Sequence, residues 1–243
     1  MNPIVLLLAD GDALFIGIVA ACIPLIVRYW GGQRRFVQAL ARVVGFLGIA
    51  FALASSTPIP YWIYAVWLVA WIAGFFVPVS SLKRVVLPLF ALISVVICFL
   101  EAPYHFSPKI PVGKAQSVYV IGDSISAGVG SSERNWPLVL GDISGLKVIN
   151  LAMAGATTAS ALRQESEVPD HSLVIVEIGG NDMLGTTPTE KYEQDLDKLL
   201  SGVPSSCTCA MFELPLLPFH NKWGEIQRAL AKKHKVILIP KKC

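Results

Sequence analysis

The sequence predicts an α/β domain built on a five-stranded parallel sheet, placed behind a membrane region of four apolar helices. Three observations carry that prediction. Hydrophobic residues make up 54% of the 243-residue chain and charged ones only 15%, a more apolar balance than soluble domains usually show. The charge is uneven: nearly all of it lies in the first turn, in two short basic clusters and after Lys109. Beyond residue 115 short apolar runs alternate with polar helical stretches, the pattern of a parallel sheet covered by helices.

Residues 1–102 form the membrane region. Apolar runs at 13–30, 36–55, 61–79 and 83–101 are each close to the roughly 20 residues that a helix needs to cross the hydrocarbon core. Four such runs without charged faces do not suit the buried helices of a soluble domain. The third run begins with Tyr and Trp side chains, as an interfacial belt would. Arg28, Arg34 and Arg35 belong to the first connecting loop, Lys83 and Arg84 to the third, and the second loop, Ser55 to Pro60, has no charge. The positive-inside rule places the basic loops in the cytoplasm and both chain ends outside it. The first 12 residues hold no Lys or Arg, so the basic start of a signal peptide is absent. Asp10 and Asp12 read as a helix start in water, with a functional intramembrane acid as the alternative. Apart from Arg42, the runs hold no clear charge away from their ends, which leaves little for a transporter or channel to work with.

Pro103, Pro108 and Pro111 make residues 103–114 a stiff, extended linker. The α/β domain occupies residues 115–243. Its strands are read at 117–121, 147–151, 173–178, 209–214 and 236–239, from short apolar runs bounded by turn residues. Helices are read between them at 135–143, 158–165, 188–200 and 221–234. For the third of these helices, Thr187 is the expected N-cap and Glu190 closes a capping box. In the fourth, Trp223, Ile226 and Leu230 share one face, and Lys232, Lys233 and His234 suit the negative end of the helix dipole.

Composition excludes several function classes. The net charge of +3 makes no case for nucleic acid. Cys22 and Cys98 lie in apolar runs as small hydrophobes. Cys207 and Cys209 alternate on a strand, with neither the spacing nor the His partners of a zinc site. No metal and no organic cofactor is expected.

The chemistry gathers at three loops. The first strand ends in Gly122-Asp123-Ser124, the second in Asn150-Leu151-Ala152-Met153-Ala154-Gly155, and the third runs into Gly179-Gly180-Asn181-Asp182. In a parallel sheet all three lie on the carboxyl edge, where ligands bind. A serine hydroxyl, a glycine N–H free of any Cβ and an asparagine amide then share one rim, which is the equipment of a nucleophile and an oxyanion hole. Asp123 reads as a turn-fixing side chain, with direct catalysis as the alternative. Asp182 reads as capping its loop or orienting a neighbour, Ser126 as satisfying backbone groups, and Asn150 as a turn residue.

These three blocks resemble those of the SGNH hydrolases, the GDSL esterases and lipases, over residues 117 to about 239. The resemblance implies a flavodoxin-like three-layer α/β fold, Ser124 as the nucleophile, and Gly155 and Asn181 as oxyanion donors. It implies an acyl-ester substrate; the membrane region and stiff linker would keep that substrate next to the lipid bilayer, outside the cytoplasm, as an ester of lipids or envelope glycans. The family's last block, Asp-x-x-His, supplies the base. It occurs nowhere in residues 1–243, and the helix after the fifth strand is also missing, so the domain reads as C-terminally incomplete. Of the four histidines, His105 lies in the linker, and His171 and His234 precede strands, at the wrong edge. His220 follows the fourth strand and is the one possible substitute base, with a plain surface role as the alternative. The competing reading of the whole chain is a non-catalytic membrane protein whose α/β domain binds an acylated ligand or partner.

Overall fold

The computed structural model describes residues 2–30, 34–113, 115, 117–128 and 134–241. The described residues fall into two compact units. One takes residues 2–106 with Pro215–Asn221, and the other takes Ser107–Leu214 with Lys222–Lys241. Lys114, Val129, Gly130 and Cys243, which fall within stretches singled out above, lie outside the described residues.

The first unit is helical: α1 (Pro3–Ala9), α2 (Asp12–Trp30), α3 (Arg35–Ala54) and α4 (Tyr61–Phe76). They are followed by α5 (Val79–Ser81), a π-helical turn (Leu82–Val86), α6 (Leu87–Glu101) and a 3-10 turn (Ala102–His105). These last four run together as one apolar helix, Val79–His105, of 27 residues. Three helices are long and apolar enough to cross a membrane: α2, α3 and Val79–His105. The expected count of four therefore becomes three. The run at 61–79 is broken by Pro78, which pushes Val77 into the extended region (φ −75°, ψ 153°) and stops α4 at 16 residues. At 1.5 Å per residue that is about 24 Å, short of a hydrocarbon core of about 30 Å.

Close packing in this unit depends on small residues and on paired polar groups. A Cβ on Gly17 would sit 2.4 Å from the Gly48 carbonyl oxygen, and one on Gly48 would sit 2.6 Å from the Ala20 Cβ. Glycine at these two sites is what lets the backbones of α2 and α3 meet. Tyr61 and Trp62, at the start of α4, are exposed, whereas Trp67 and Trp71 are buried in the core. Each indole N–H has an acceptor, Ser94 Oγ at 2.9 Å and the Ala21 carbonyl at 2.8 Å, as a buried indole requires. The uncharged stretch after α3 is buried as well: Ser55, Ser56 and Thr57 are nearly inaccessible. Residues Pro215–Asn221 are clustered with these helices. Leu216 N–H donates to Ser56 Oγ at 2.7 Å, and Asn221 Nδ2 donates to the Ile59 carbonyl at 2.8 Å. Asp12 is the first residue of α2, and its partly exposed carboxylate also lies 3.3 Å from His105 Nδ1.

The second unit holds β1 (Ser117–Gly122), α7 (Ser124–Ala127), α8 (Trp136–Ser144), β2 (Lys147–Asn150), α9 (Thr158–Glu165), β3 (Leu173–Glu177), α10 (Gly180–Leu184), α11 (Thr189–Gly202), β4 (Thr208–Phe212), α12 (Asn221–His234) and β5 (Ile237–Ile239). All strand pairs are parallel, in the order β2-β1-β3-β4-β5. The five strands and the α/β class are as expected, with ends shifted by a residue or two. Strands β1 and β3 are central, and Val118, Val120, Val174 and Val176 are fully buried. The chain winds outward in opposite directions from β1 and β3, so the crevice of this sheet lies at their carboxyl ends. One cap differs from expectation. Pro188, not Thr187, precedes α11, and no side chain caps that helix end.

The glycine contact between α2 and α3 can be tested directly. Gly48→Val puts branched carbons against Ala20 Cβ and the Gly17 carbonyl, and overpacking of this kind costs about 1–3 kcal/mol. A lower Tm for the full chain in detergent is expected. An unchanged Tm would mean that the two backbones do not meet there.

Candidate active site

The site is built from the carboxyl ends of β1, β2 and β3. Gly122 closes β1 because nothing larger fits: a Cβ there would lie 2.7 Å from Ser126 Oγ and 3.1 Å from the Glu177 carbonyl oxygen. Asp123 then caps the short helix α7, its Oδ1 accepting from Ile125 N–H at 3.0 Å. Ser124 is thereby the first residue of α7, half-buried at the rim. No acceptor is recorded for its N–H among the described residues.

The second loop reaches the first through the backbone. Met153 N–H donates to the Gly122 carbonyl at 3.1 Å, and Leu151 N–H donates to that of Val120 at 2.9 Å. Asn150 acts within both loops: Nδ2 donates to the Ser126 carbonyl at 2.7 Å, and Oδ1 accepts from Ala152 N–H at 3.1 Å. Gly155 has φ +72° with open space where a Cβ would be. Its left-handed backbone is the reason for glycine here, and its N–H has no recorded acceptor among the described residues.

The third loop joins the other two through one side chain. Asn181 Nδ2 donates to the Ala156 carbonyl at 2.9 Å and lies 3.4 Å from Asp123 Oδ2. The second contact is at the long limit for a hydrogen bond, so it is the proton more easily given to an incoming oxygen. Asp182 points away from this rim. Its carboxylate accepts from Thr158 N–H at 2.8 Å and from Thr158 Oγ1 at 2.9 Å, which ties α10 to the start of α9.

Beneath Ser124 lies a group that the sequence reading passed over. Glu177, the last residue of β3, accepts from Ser126 Oγ at 2.8 Å, and the same hydroxyl accepts from Trp136 Nε1 at 3.1 Å. Burial, with the neighbouring Asp123 carboxyl as the second cause, pushes the Glu177 carboxyl up to about 7, against the pull of its hydrogen bond from Ser126. Gln164 is the other unexpected part, bonding both the N–H and the carbonyl of Gly122 at 2.8 and 3.1 Å. The signal for Glu177 was a lone carboxylate ending an apolar run. Gln164 had no comparable signal.

Ser124, Gly155 and Asn181 thus stand on three loops that are hydrogen-bonded to one another, with Asp123 among them. His220 belongs to the segment clustered with the helical unit, and its Nδ1 lies 3.0 Å from the Pro218 carbonyl oxygen. His234 Nε2 is paired with Asp197 at 2.6 Å. Among the described residues, no group of three or more His, Cys, Asp or Glu side chains is placed to hold a metal ion.

The family model of the GDSL-like lipases and acylhydrolases matches residues 120–241, half of the chain. The chain belongs to that family. An arylesterase of Vibrio mimicus is 29% identical to it over 141 residues, covering 52% of this chain and 70% of the relative. A protein of Escherichia coli strain K12, thioesterase 1/protease 1/lysophospholipase L1, is 30% identical over 138 residues, covering 52% and 66%. Among solved structures, the SGNH-hydrolase family esterase AlinE4 matches with a TM-score of 0.44 at 26% identity, over 53% of this chain and 77% of the esterase. Membership in the GDSL-like family makes ester hydrolysis the chemistry to test at this rim.

The Glu177 carboxyl has a measurable consequence. Its folded-state pKa lies above the unfolded value near 4.5, so its contribution to stability is complete below that value and is lost as pH rises through about 7. The Tm of the full chain in detergent should therefore fall between about pH 5 and about pH 8. The Glu177→Gln variant should fall less over the same interval. Parallel curves would remove Glu177 as the source.

Proposed function

We propose that this chain is a membrane-bound serine ester hydrolase. Ser124 acts on acyl esters of lipids or envelope glycans outside the cytoplasm. One observation carries the reading: the Asn181 carboxamide is hydrogen-bonded or in close contact with both the Ser124 loop and the Gly155 loop. The basic loops of the helical unit support the orientation through the positive-inside rule.

In the proposed reaction Ser124 Oγ bonds to the acyl carbon while a base takes its proton. The carbonyl oxygen becomes an oxyanion held by the N–H groups of Ser124 and Gly155 and by Asn181 Nδ2, which turns from Asp123 toward it. The ester C–O bond breaks and the base returns the proton to the leaving alcohol. Water then repeats the sequence at the acyl-enzyme and releases the acid. For the base the proposal names His220, whose ring must first turn from the Pro218 carbonyl.

A fluorophosphonate probe tests the reading on the full chain in detergent. Labelling at Ser124 is expected, and Ser124→Ala should abolish it. Asn181→Ala should slow it by about a hundredfold or more, as loss of one oxyanion donor does elsewhere. No labelling of a folded sample would overturn the esterase reading in favour of a domain that binds an acylated ligand without cleaving it. The base is tested separately: His220→Ala should slow labelling at least about tenfold, and an unchanged rate would remove His220 while leaving the serine in place.

A further inference from the structure

The helical unit carries a feature that ester hydrolysis does not use. Between Asp12 and Glu101 the sequence has no Asp or Glu, yet it holds Arg28, Arg34, Arg35, Arg42, Lys83 and Arg84. Two of these cations are occupied. Arg28 donates to the Gly74 carbonyl and, at 2.6 Å, to that of Val77, and the Lys83 ammonium lies 4.6 Å from the centre of the Tyr29 ring. Arg42 has no partner among the described residues. It stands seven residues after Arg35, the first residue of α3, about 10 Å along the helix at 1.5 Å per residue.

Arg42 also marks the junction of two cavities. One, of about 690 Å³, is an apolar groove lined by Phe46, Ile49, Leu68, Trp71, Phe75 and Phe76. The other, of about 240 Å³, has Arg28, Gln38 and Arg42 on its wall beside Pro24, Val27 and Val79. Arg42 and Phe75 belong to both. A guanidinium at membrane depth is costly without an anion, and it pairs with phosphate oxygens through two parallel N–H bonds. A free phosphate would satisfy the charge and leave the adjoining groove bare. A neutral lipid would fill the groove and leave the charge. Basic pockets between membrane helices that take anionic headgroups meet both demands.

We propose that this junction binds one anionic phospholipid, with its phosphate on Arg42 and an acyl chain in the groove lined by Phe46, Trp71 and Phe75. The proposal rests on the membrane reading of the helical unit. It is independent of any catalysis at Ser124.

The test uses the full chain reconstituted in vesicles of equal phosphatidylglycerol and phosphatidylcholine, then released into mild detergent for native mass spectrometry. About one retained phosphatidylglycerol per chain is expected, preferred over phosphatidylcholine by about tenfold or more, a difference of about 1.4 kcal/mol. Arg42→Gln should remove the preference. Arg42→Lys, which keeps the charge but not the fork, should retain an intermediate amount and guards against misfolding of the glutamine variant. Glycerol 3-phosphate, which has the phosphate and no acyl chain, should not displace the lipid. Equal retention of the two lipids, an unchanged Arg42→Gln variant, or displacement by glycerol 3-phosphate would each overturn the proposal. Carbonate extraction of the vesicles separates the two layers of the argument: release of the chain overturns the membrane reading and the site with it, whereas retention without lipid preference overturns the site alone.

Discussion

One carboxamide ties the rim of this sheet together. Asn181 donates to the Ala156 carbonyl and lies within reach of Asp123, so a single side chain from the β3 loop touches the loops after β1 and β2. That is possible because β1 and β3 are neighbours at the switch point of a parallel sheet, where loops leave toward opposite faces and a crevice opens. The Gly122 position follows from the same geometry. The chain after β1 must turn back tightly enough that Ser126 passes within a Cβ's distance of it. Ser124 sits half-buried at the rim, between the buried Asp123 and the exposed Ile125.

That pinning has an electrostatic side. Asp123 and Glu177 are two carboxyls at adjoining strand ends, in a partly dry setting. Neighbouring carboxyls of this kind do not ionise independently. Glu177 holds its proton to higher pH, while Asp123, itself buried, faces the N–H of Ile125 and the amide of Asn181. The hydroxyl of Ser126 connects Glu177 to Trp136. The loop that carries the candidate nucleophile is therefore supported from below by a charge-sensitive contact rather than by apolar packing alone.

Much of this was legible in the residues. Val118 to Ile121 and Leu173 to Val176 read as buried strands because a parallel sheet covered on both faces needs continuous apolar runs, and the three blocks read as loops because glycine and asparagine punctuate them. What could not be read were contacts between distant residues. Glu177 looked like the end of a strand, and only the fold sets it against Ser126 across 51 positions. Asp12, the first residue of α2, stays partly exposed, and only the fold brings His105 within 3.3 Å of it. The run at 61–79 is broken locally: Pro78 lies inside it and α4 ends after 16 residues.

The helical unit pairs several of its buried polar groups within itself. The indoles of Trp67 and Trp71 have acceptors, and Thr57 and Tyr64 share a hydrogen bond at 2.8 Å. Arg28 takes up carbonyls at the end of α4 that the break before Pro78 leaves without helical donors. A break in one helix and a cation on another are thus two halves of a single solution. Arg42 stands outside this pattern. A chain that pairs an indole N–H with a backbone carbonyl deep in its core has the means to bury or pair a guanidinium, and its leaving one at the mouth of an aromatic groove is an argument about what lies outside the protein.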